Sequence, residues 1–441
     1  MSSDTIIALS TPPGVSALAL IRISGPQAHE LAGRHFGKAP APRMATHGNL
    51  RDTDGKILDD VVLTSWSAPA SFTGEHMVEI SCHGNMLIVE NILQSLIASG
   101  ARLAEPGEFS RRAFLNGKMD LSQAEGIIDL IHARSERALR AARALQEGKL
   151  GRMMLVEREN LLQVLSHLEA YIDFPDEDIS PDVGESFRSK ITQTQKNIRL
   201  LLASAREGAM LRQGLNVVIS GAPNAGKSSL LNVLLERDRA IVSPIAGTTR
   251  DTIEEEIILE GVVIRLIDSA GLRESDDEIE KLGIARTQQA LDKADLVLHL
   301  VDGSEPVNKP LTVKVPGNVP VITCLTKCDL SPKQDANGKL PISTVSGTGI
   351  AELKNEMIRL LRLNETSANL DYIAISVRHE TLLREADECL GNALNAIGQN
   401  AAPEYVSSDL RQALDACGKI VGEVTNEDIL DRLFKNFCIG K

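Results

Sequence analysis

Residues 215–229 read LNVVISGAPNAGKSS, and this stretch decides the fold around it. An apolar run leads into a glycine-bearing loop, and the helix-like SSLLNVLLE follows directly. The residues that fit the pattern G-x-x-x-x-G-K-[ST] are Gly221, Gly226, Lys227 and Ser228. In such a loop the backbone N–H groups point at phosphate oxygens, while the lysine reaches the outer phosphates and the serine ligates Mg²⁺. The sequence therefore predicts a P-loop.

Outward from this loop, apolar runs alternate with helix-like segments between about residues 213 and 365. The runs EEEIIL and VVIRLID flank a turn at Gly261, and ADLVLHLVD and PVITCLT follow further along the chain. This alternation predicts a parallel α/β sheet that carries an antiparallel hairpin.

Different patterns flank this α/β unit. Up to residue 118, β-rich runs such as ALALIRISG and HMVEISCHG alternate with Pro/Gly turns, which predicts an α+β domain. From Leu121 to about 210, and again after about 370, helical periodicity dominates. We predict a multidomain α/β and α protein, with an N-terminal α+β domain at 1–118, a discontinuous helical domain at 119–210 and 370–441, and a P-loop α/β domain inserted at 211–369.

Composition limits the function classes. The 441 residues carry a net charge of -13, which argues against wholesale electrostatic binding to nucleic acid, so any RNA contact is expected to be a local patch. The N-terminus lacks the pattern of a secretory signal and no apolar run approaches membrane-spanning length, which favours a cytoplasmic location. The cysteines lack the paired spacing of zinc sites, and reduced thiols are expected. Cys438 differs from the other cysteines because it lies among the last few residues of the sequence, where burial in a core alone does not explain a cysteine.

The segment TKCD after PVITCL predicts the base. Asp329 there can accept hydrogen bonds from the N1–H and the exocyclic amine of guanine, a donor pair that adenine does not present. Thr326 stands where related GTPases carry an asparagine whose amide braces the site. In PISTVSG, Ser343 and Thr344 occupy the expected position of the loop that backs the base. The sequence therefore predicts GTP as the ligand.

The segment DSAG, at the end of VVIRLID, is predicted to form part of the hydrolytic machinery. Asp268 is expected to hold Mg²⁺ through a water, and the N–H of Gly271 to sense the γ-phosphate. Leu272 stands where Ras-like enzymes carry the glutamine that orients the attacking water, so another group must do this. Upstream, GTTRD supplies Thr249 to close over Mg²⁺ and the γ-phosphate. The downstream acids of ESDDEIEK are, by composition alone, more typical of a solvated surface loop.

Together, GAPNAGKSSLLN, IAGTTRD and DSAG resemble the TrmE-Era-Der group of GTPases. The run PGEFSRRAFLNGKMDLSQAE, the C-terminal FCIGK, the opening DTIIALSTPPG and SFTGE resemble the MnmE (TrmE) tRNA-modification GTPases over the whole chain. That resemblance implies a tetrahydrofolate-binding N-terminal domain that dimerises. It also implies a potassium-activated GTPase that works with an FAD-containing partner, MnmG (GidA). Together the two proteins would install an aminomethyl or carboxymethylaminomethyl group at C5 of the wobble uridine of certain tRNAs.

The resemblance assigns roles to further residues. A K⁺ ion between phosphates and switch loop would neutralise transition-state charge, as an arginine finger does elsewhere. Its implied ligands are Asn224, Ser243, Ile245 and Thr248, and those of Mg²⁺ are Ser228 and Thr249. Glu280 in EKLGI would orient the attacking water, and Arg250 would stabilise the loop or the dimer, although a plain surface arginine is also possible.

The whole nucleotide site is then expected to comprise Asn224, Ala225, Gly226, Lys227, Ser228, Ser229, Ser243, Thr248, Thr249, Asp268, Ser269, Ala270, Gly271, Thr326, Lys327, Asp329, Ser343 and Thr344. The implied folate positions, for a 5-formyl- or methylene-tetrahydrofolate, are Arg22, Glu79, Lys118 and Lys441. Glu79 suits the amidine edge of a pterin. By charge alone, each of these four would more often be a surface ion pair. Cys438 matches a cysteine beside that site, where a thiolate could act in the modification.

Two other interpretations remain open. One is a ribosome-assembly GTPase of the Era or Der kind, although no KH-like segment with a GXXG loop follows the P-loop domain. The other is a folate-dependent aminomethyl-transfer enzyme whose GTPase domain is only regulatory.

Overall fold

The computed structural model of the protein describes residues 4–38, 41–173, 185–238, 254–268, 288–304, 315–317, 319–330, 338–363, 373–423, 427–435 and 437–440. The chain splits into two compact units. The first contains Met1–Ile128, Gln146–Gln195 and Glu385–Lys441, and the second contains Asp129–Leu145 and Lys196–Arg384. The predicted fold class is confirmed, whereas the proposed three-domain boundaries stay a prediction.

The first unit begins with a six-stranded sheet in the order β3-β4-β5-β2-β1-β6. Its strands are β1 (Ile6–Leu9), β2 (Ser16–Ser24), β3 (Ala45–Arg51), β4 (Ile57–Trp66), β5 (Met77–Gly84) and β6 (Arg102–Leu103). Side chains alternate between the two faces of a strand, so the buried Ile21 and Ile23 pack with α1 (Ala28–Phe36) and α2 (Met86–Ala98). Arg22, between them, therefore lies on the other face of the sheet.

Helices follow this sheet, as the 3.6-residue periodicity predicts. They are α3 (Glu108–Leu115), α4 (Leu121–His132), α5 (Glu136–Gln146), α6 (Lys149–Asp173), α7 (Glu185–Ala203) and α8 (Ala205–Gln213). After the second sheet come α10 (Ile350–Leu361), α11 (Val377–Gly398), α12 (Pro403–Val421) and α13 (Glu427–Phe434). In the first unit α6 packs against α12, and both helices present buried apolar side chains three and four residues apart.

The second sheet lies in the second unit and has the order β12-β11-β10-β7-β9-β8. Its strands are β7 (Leu215–Gly221), β8 (Glu254–Leu259), β9 (Val262–Asp268), β10 (Leu296–Asp302), β11 (Val321–Thr326) and β12 (Leu340–Pro341), and α9 (Lys227–Asp238) follows β7. Within the described part of this second sheet, only β8 runs antiparallel, paired with β9. The carboxyl ends of β7, β9, β10 and β11 thus meet at one edge, where open α/β sheets bind ligands.

The hydrophobic core of the second unit includes a helix from outside the predicted P-loop domain. Ala138 and Ala141 of α5 are buried in the same cluster as Leu215, Val217 and Ile219 of β7. Small alanine side chains allow α5 to approach this core closely. The segment 129–145 therefore completes the packing of the α/β unit, although more than fifty residues separate it from β7 in the sequence.

The cysteine side chains are unpaired throughout the described part of the chain. Cys324 is fully buried in the core of the second unit, Cys328 is half-buried, and Cys438 is exposed. Within the described ranges, no helix has both the length and the apolar character needed to cross a membrane. The acidic stretch 174–182 lies outside the described residues.

Candidate functional site

The P-loop follows the central strand β7, and its glycines are required either by a close contact or by a positive φ. Gly221 has φ +154°, and a Cβ there would lie 2.6 Å from the carbonyl oxygen of Leu300. Asn224 and Gly226 have φ values of 63° and 90°, in the left-handed region that glycine and asparagine tolerate best. These positions let the backbone curl tightly between the strand and α9, as the motif predicts.

Lys227 lies inside this loop. Its residue is 7% exposed, and Nζ donates hydrogen bonds to the carbonyl oxygens of Gly221 (3.1 Å) and Ala222 (2.8 Å). Because α9 begins at Lys227, the N-terminal N–H groups and the partial positive charge of that helix lie at the same place as the ammonium group. The arrangement attracts an anion with several oxygens, such as a polyphosphate.

Asp268 occupies the carboxyl end of β9, the parallel neighbour of β7. In the register of the two strands it stands opposite Ile219, two residues before the loop begins. The first turn of α9 carries Ser228 and Ser229. A carboxylate and a hydroxyl group from adjacent elements are the oxygen ligands that Mg²⁺ takes beside phosphates.

The base-recognition segment follows β11 at the same edge. Thr326 is buried, and its hydroxyl donates to the carbonyl oxygen of Val301 at 3.2 Å. A Cβ built on Gly226 would lie 3.9 Å from the Cβ of Thr326, so this threonine packs beside the P-loop. Thr326 therefore packs between the P-loop and the base-recognition segment, and its hydroxyl forms a hydrogen bond to a neighbouring strand of the sheet.

A buried serine holds the predicted guanine-reading carboxylate. Ser343 is fully buried, and its Oγ donates to Oδ1 of Asp329 at 2.6 Å. The same Oγ accepts from the backbone N–H groups of Val345 and Ser346 at 3.3 and 3.2 Å, and Thr344 beside it is half-buried. The loop after β12 therefore fixes the orientation of Asp329, whereas the sequence predicts only that this loop backs the base.

Lys327 has a partner that sequence reasoning missed. Its Nζ lies 2.6 Å from Oδ2 of Asp302, at the end of β10. Partial burial raises the pKa of Asp302, but hydrogen bonds from Lys327 and Ser304 outweigh burial and hold this pKa below its usual value. The run LVLHLVDGS carries a signal, because an acid directly after a buried strand lies at the ligand-binding edge.

Several predicted site residues fall outside the part of the chain that the structure describes. They are Ser243, Ile245, Thr248, Thr249, Arg250, Ser269, Ala270, Gly271, Glu280 and Lys441. The water-orienting glutamate and most of the K⁺ cage thus remain predictions.

A second cluster lies in the first unit. Arg22 and Glu79 stand opposite each other on β2 and β5, with Nε 2.9 Å from Oε1. The guanidinium carbon of Arg22 lies 5.7 Å from the ring centre of Phe72, in the SFTGE segment. Nη1 of Arg22 also donates to the carbonyl oxygen of Gly440 at 3.3 Å. The structure brings two predicted folate residues together with the C-terminal segment.

The segment 437–440 packs on the start of the chain. Gly440 has φ +89°, and a Cβ there would lie 2.5 Å from the carbonyl oxygen of Leu9, so only glycine fits. The hydroxyl of Ser10 donates to the carbonyl oxygen of Gly440 at 3.1 Å, and the carbonyl oxygen of Cys438 accepts from the N–H of Gly107 at 3.4 Å. The side chain of Cys438 is exposed. The backbone is anchored while the thiol faces outward.

Lys118 approaches the same region from the turn that follows α3. Its Nζ donates to the carbonyl oxygen of Pro69 at 3.0 Å, and its side chain packs against Gly74. The loop 69–74 therefore connects Lys118 with Phe72, the ring beneath Arg22. Phe72 belongs to the segment SFTGE and Gly440 to the segment FCIGK, but no pattern in the sequence predicts a contact for either residue.

The chain resembles known proteins over nearly its whole length. The model described as GTP-binding protein TrmE N-terminus matches residues 5–118, and the MnmE helical domain model matches residues 121–438. A tRNA modification GTPase MnmE from Akkermansia muciniphila is 44% identical over 99% of each chain. The protein of that name from Aquifex aeolicus is 41% identical over 99% of this chain and 100% of its own.

Among solved structures, that of Era from Aquifex aeolicus is 24% identical, covers 40% of this chain and 66% of its own, and has a TM-score of 0.27, too low to carry an argument. The models and the full-length relatives are decisive: the chain belongs to the MnmE family of tRNA modification GTPases.

Proposed function

We propose that this chain is a potassium-activated GTPase that acts in the modification of tRNA. With an FAD-dependent MnmG (GidA) partner it would form 5-carboxymethylaminomethyl or aminomethyl uridine at the wobble position. One observation carries the nucleotide part: the P-loop and the Asp329 carboxylate held by Ser343 lie at the same edge of one sheet. This edge combines a polyphosphate grip with acceptors for the donor pair of guanine.

Ser228, Asn224 and Asp268, which the structure describes at this edge, carry oxygen atoms of the kind that metal ions bind. Ser228 and Thr249 would hold Mg²⁺, with Asp268 acting through a water, and the ion would neutralise charge on the phosphates. Asn224, which has φ 63° inside the loop, would be a K⁺ ligand, completed by Ser243, Ile245 and Thr248. Lys227 would bind the outer phosphates, and Glu280 would orient the attacking water. Arg250 would stabilise the switch loop or a dimer of two copies.

The Arg22 cluster has the chemistry that a folate requires. Glu79 now accepts a hydrogen bond from a guanidinium, whose two-donor edge resembles the amidine edge of a pterin. Phe72 offers an apolar ring face, and Lys118 and Lys441 would attract the glutamate tail. A bound 5-formyl- or methylene-tetrahydrofolate would supply a one-carbon unit. Cys438, exposed beside this cluster, is the chain's own candidate for chemistry on the base.

The first experiment compares monovalent cations. GTP turnover by the purified protein should be faster in K⁺ than in Na⁺, and it should rise with protein concentration if two copies assemble the site. ATP turnover in parallel controls for base recognition. Equal rates in both cations would contradict the K⁺ cage, while equal binding of ATP and GTP would contradict guanine recognition.

The cellular role is tested in cells that lack the protein. Loss of the C5 substituent from wobble uridine, measured by mass spectrometry of tRNA nucleosides, is the expected result. Accumulation of unfinished ribosomal subunits with intact tRNA would instead favour the Era- or Der-like role. Variants of Cys438 separate the two activities, because Cys438→Ser should abolish modification and spare GTP hydrolysis.

A further inference from the structure

The hairpin of β8 and β9 connects two parts of the predicted nucleotide site. β8 starts three residues after GTTRD, and β9 ends at Asp268. At the opposite end, a two-residue turn joins Leu259 to Val262 through Glu260 and Gly261, both with positive φ. This is the turn geometry that suits a tight hairpin. The turn is the point of the hairpin farthest from the phosphate edge.

Two side chains near the start of α5 hold this turn. The Oγ of Ser135 donates to the carbonyl oxygen of Gly261 at 2.5 Å, and Nη1 of Arg137 donates to that of Glu260 at 3.2 Å. A Cβ on Gly261 would lie 3.0 Å from the Cβ of Arg137. A side chain on Gly261 would therefore crowd Arg137, and the φ of +75° disfavours any residue other than glycine there.

The same guanidinium ties in two more segments. Its Nη2 pairs with Glu207 of α8, and Nη1 also donates to the carbonyl oxygen of Leu363, just after α10. The side chains of Arg137 and Glu207 are 17% and 8% exposed. Burial raises the pKa of Glu207, and Arg137 opposes that rise. A mostly buried ion pair with several hydrogen bonds fixes the relative positions of its segments, since breaking it leaves a charge without its partner.

Each of these segments continues into the nucleotide site or the core. α8 leads through Gly214 into β7 and the P-loop, and residues 264–268 of β9 pair with β7. Paired strands move together, because a slip in register moves every side chain to the wrong face. Ala138, next to Arg137, and Ala141, one turn further along α5, are buried in the same core cluster as β7.

We propose that Arg137 is a positioning residue that clamps the β8–β9 turn to α5 and α8, so that nucleotide binding at the far end of the hairpin is transmitted to α5. The transmission rests on the proposed nucleotide binding, whereas the clamp itself does not. Arg137 touches neither nucleotide nor metal in this scheme; it acts through the hairpin.

The clamp is tested first without nucleotide, by hydrogen–deuterium exchange of the full-length protein. Arg137→Ala should raise amide exchange in residues 254–268 by about tenfold or more, because charged hydrogen bonds to the turn are lost. The matched control is Arg140→Ala on the same helix. Arg140 is exposed and forms no ion pair with any residue described in the structure. Unchanged exchange in 254–268 in the Arg137 variant would overturn the proposal.

Transmission is tested by adding GDP or GTP. In the wild type, nucleotide should slow exchange both in 221–229 and in α5. In Arg137→Ala the protection of 221–229 should persist while that of α5 disappears, and a general loss of structure would instead remove both. Protection of α5 that survives the substitution would overturn the transmission. If the wild type shows no protection of 221–229, nucleotide binding fails, and the nucleotide-free arm still decides the clamp.

The single variant leaves Glu207 buried without Arg137, so it could fail to fold. The double variant Arg137→Met with Glu207→Gln removes the buried charges together and keeps the volume similar. It should fold and still show faster exchange at the turn. A folded double variant with wild-type exchange would show that packing of α5, not the guanidinium, holds the hairpin.

Discussion

The phosphate loop and the Arg22 cluster are assembled in opposite ways. The loop is a contiguous segment whose conformation follows from its own glycines and from the strand before it. The cluster joins Arg22, Glu79 and Gly440, and 418 residues separate the first from the last. A local site can be identified from spacing, because the spacing creates the geometry. A site made from distant segments cannot, since only the folded chain brings its members together.

The largest effect is expected at the local site, from Lys227→Ala. The ammonium bonds to two carbonyl oxygens of the loop and is the charge closest to the predicted phosphates. Its loss should lower kcat/KM for GTP by about 100- to 1,000-fold, the range seen when one preorganised transition-state donor is removed. Steady-state phosphate release measures this. Lys293→Ala, an exposed lysine of the same unit, is the control, and an equal loss there would contradict the assignment.

The next effect concerns the base. Asp329→Asn replaces an acceptor by a donor, so the affinity for GTP should fall by about 100-fold while that for xanthosine triphosphate, which has an oxygen at C2, should rise. Calorimetry with both nucleotides measures the exchange of preference. Ser343→Ala removes only the hydrogen bond that holds the carboxylate, and it should lower the affinity for GTP by about tenfold. An unchanged ratio of the two nucleotides in Asp329→Asn would mean that another group reads the base.

A smaller effect is expected at the cluster of distant residues. Glu79→Gln should lower the affinity for a tetrahydrofolate derivative by about tenfold, because a charged hydrogen-bond acceptor becomes neutral. GTP turnover should stay at the wild-type rate, since Glu79 belongs to the other unit. Fluorescence titration measures folate binding, and Glu30→Gln on the exposed side of α1 is the matched control. Equal folate affinity in Glu79→Gln and the control would remove Glu79 from the site.

The smallest effect is a pH dependence at Asp302. Because its folded-state pKa is below the ordinary 3.8, its pairing with Lys327 stabilises the fold above that pH and is lost as pH falls through the folded value. Asp302→Asn should lower stability by about 0.5–1 kcal/mol from pH 8 to 5. The difference should shrink below about pH 4. Thermal midpoints across this range measure it, and a difference that grows on acidification would contradict the pairing.

The sheet of the second unit was predictable because its strands are continuous apolar runs. EEEIIL, VVIRLID, ADLVLHLVD and PVITCLT correspond to β8, β9, β10 and β11, each within two residues. β12 was not predicted, since two residues are too few to show a pattern. The position of PISTVSG predicted a loop behind the base, but not the hydrogen bond from Ser343 to Asp329.

Contacts between segments were not predictable from one sequence. Arg22 and Glu79 came from resemblance, and nothing in their surroundings indicated that they pair with each other. Arg137 belongs to an ordinary amphipathic helix, where an arginine usually faces solvent, and its role depends on α8 and on the β8–β9 turn. Such partners are decided by tertiary packing rather than by local periodicity.

The placement of α5 in the core of the second unit has a consequence for biosynthesis. The ribosome releases α5 roughly two hundred residues before Leu363 emerges, which at about 5–20 residues per second is a delay of about 10–40 seconds. Ala138 and Ala141 lack the strand that packs on them until β7 emerges, and Arg137 lacks the carbonyl oxygen of Glu260 until the β8–β9 turn emerges, roughly halfway through this interval. A nascent chain arrested within this interval should therefore engage chaperones through α5, and release should coincide with completion of the sheet.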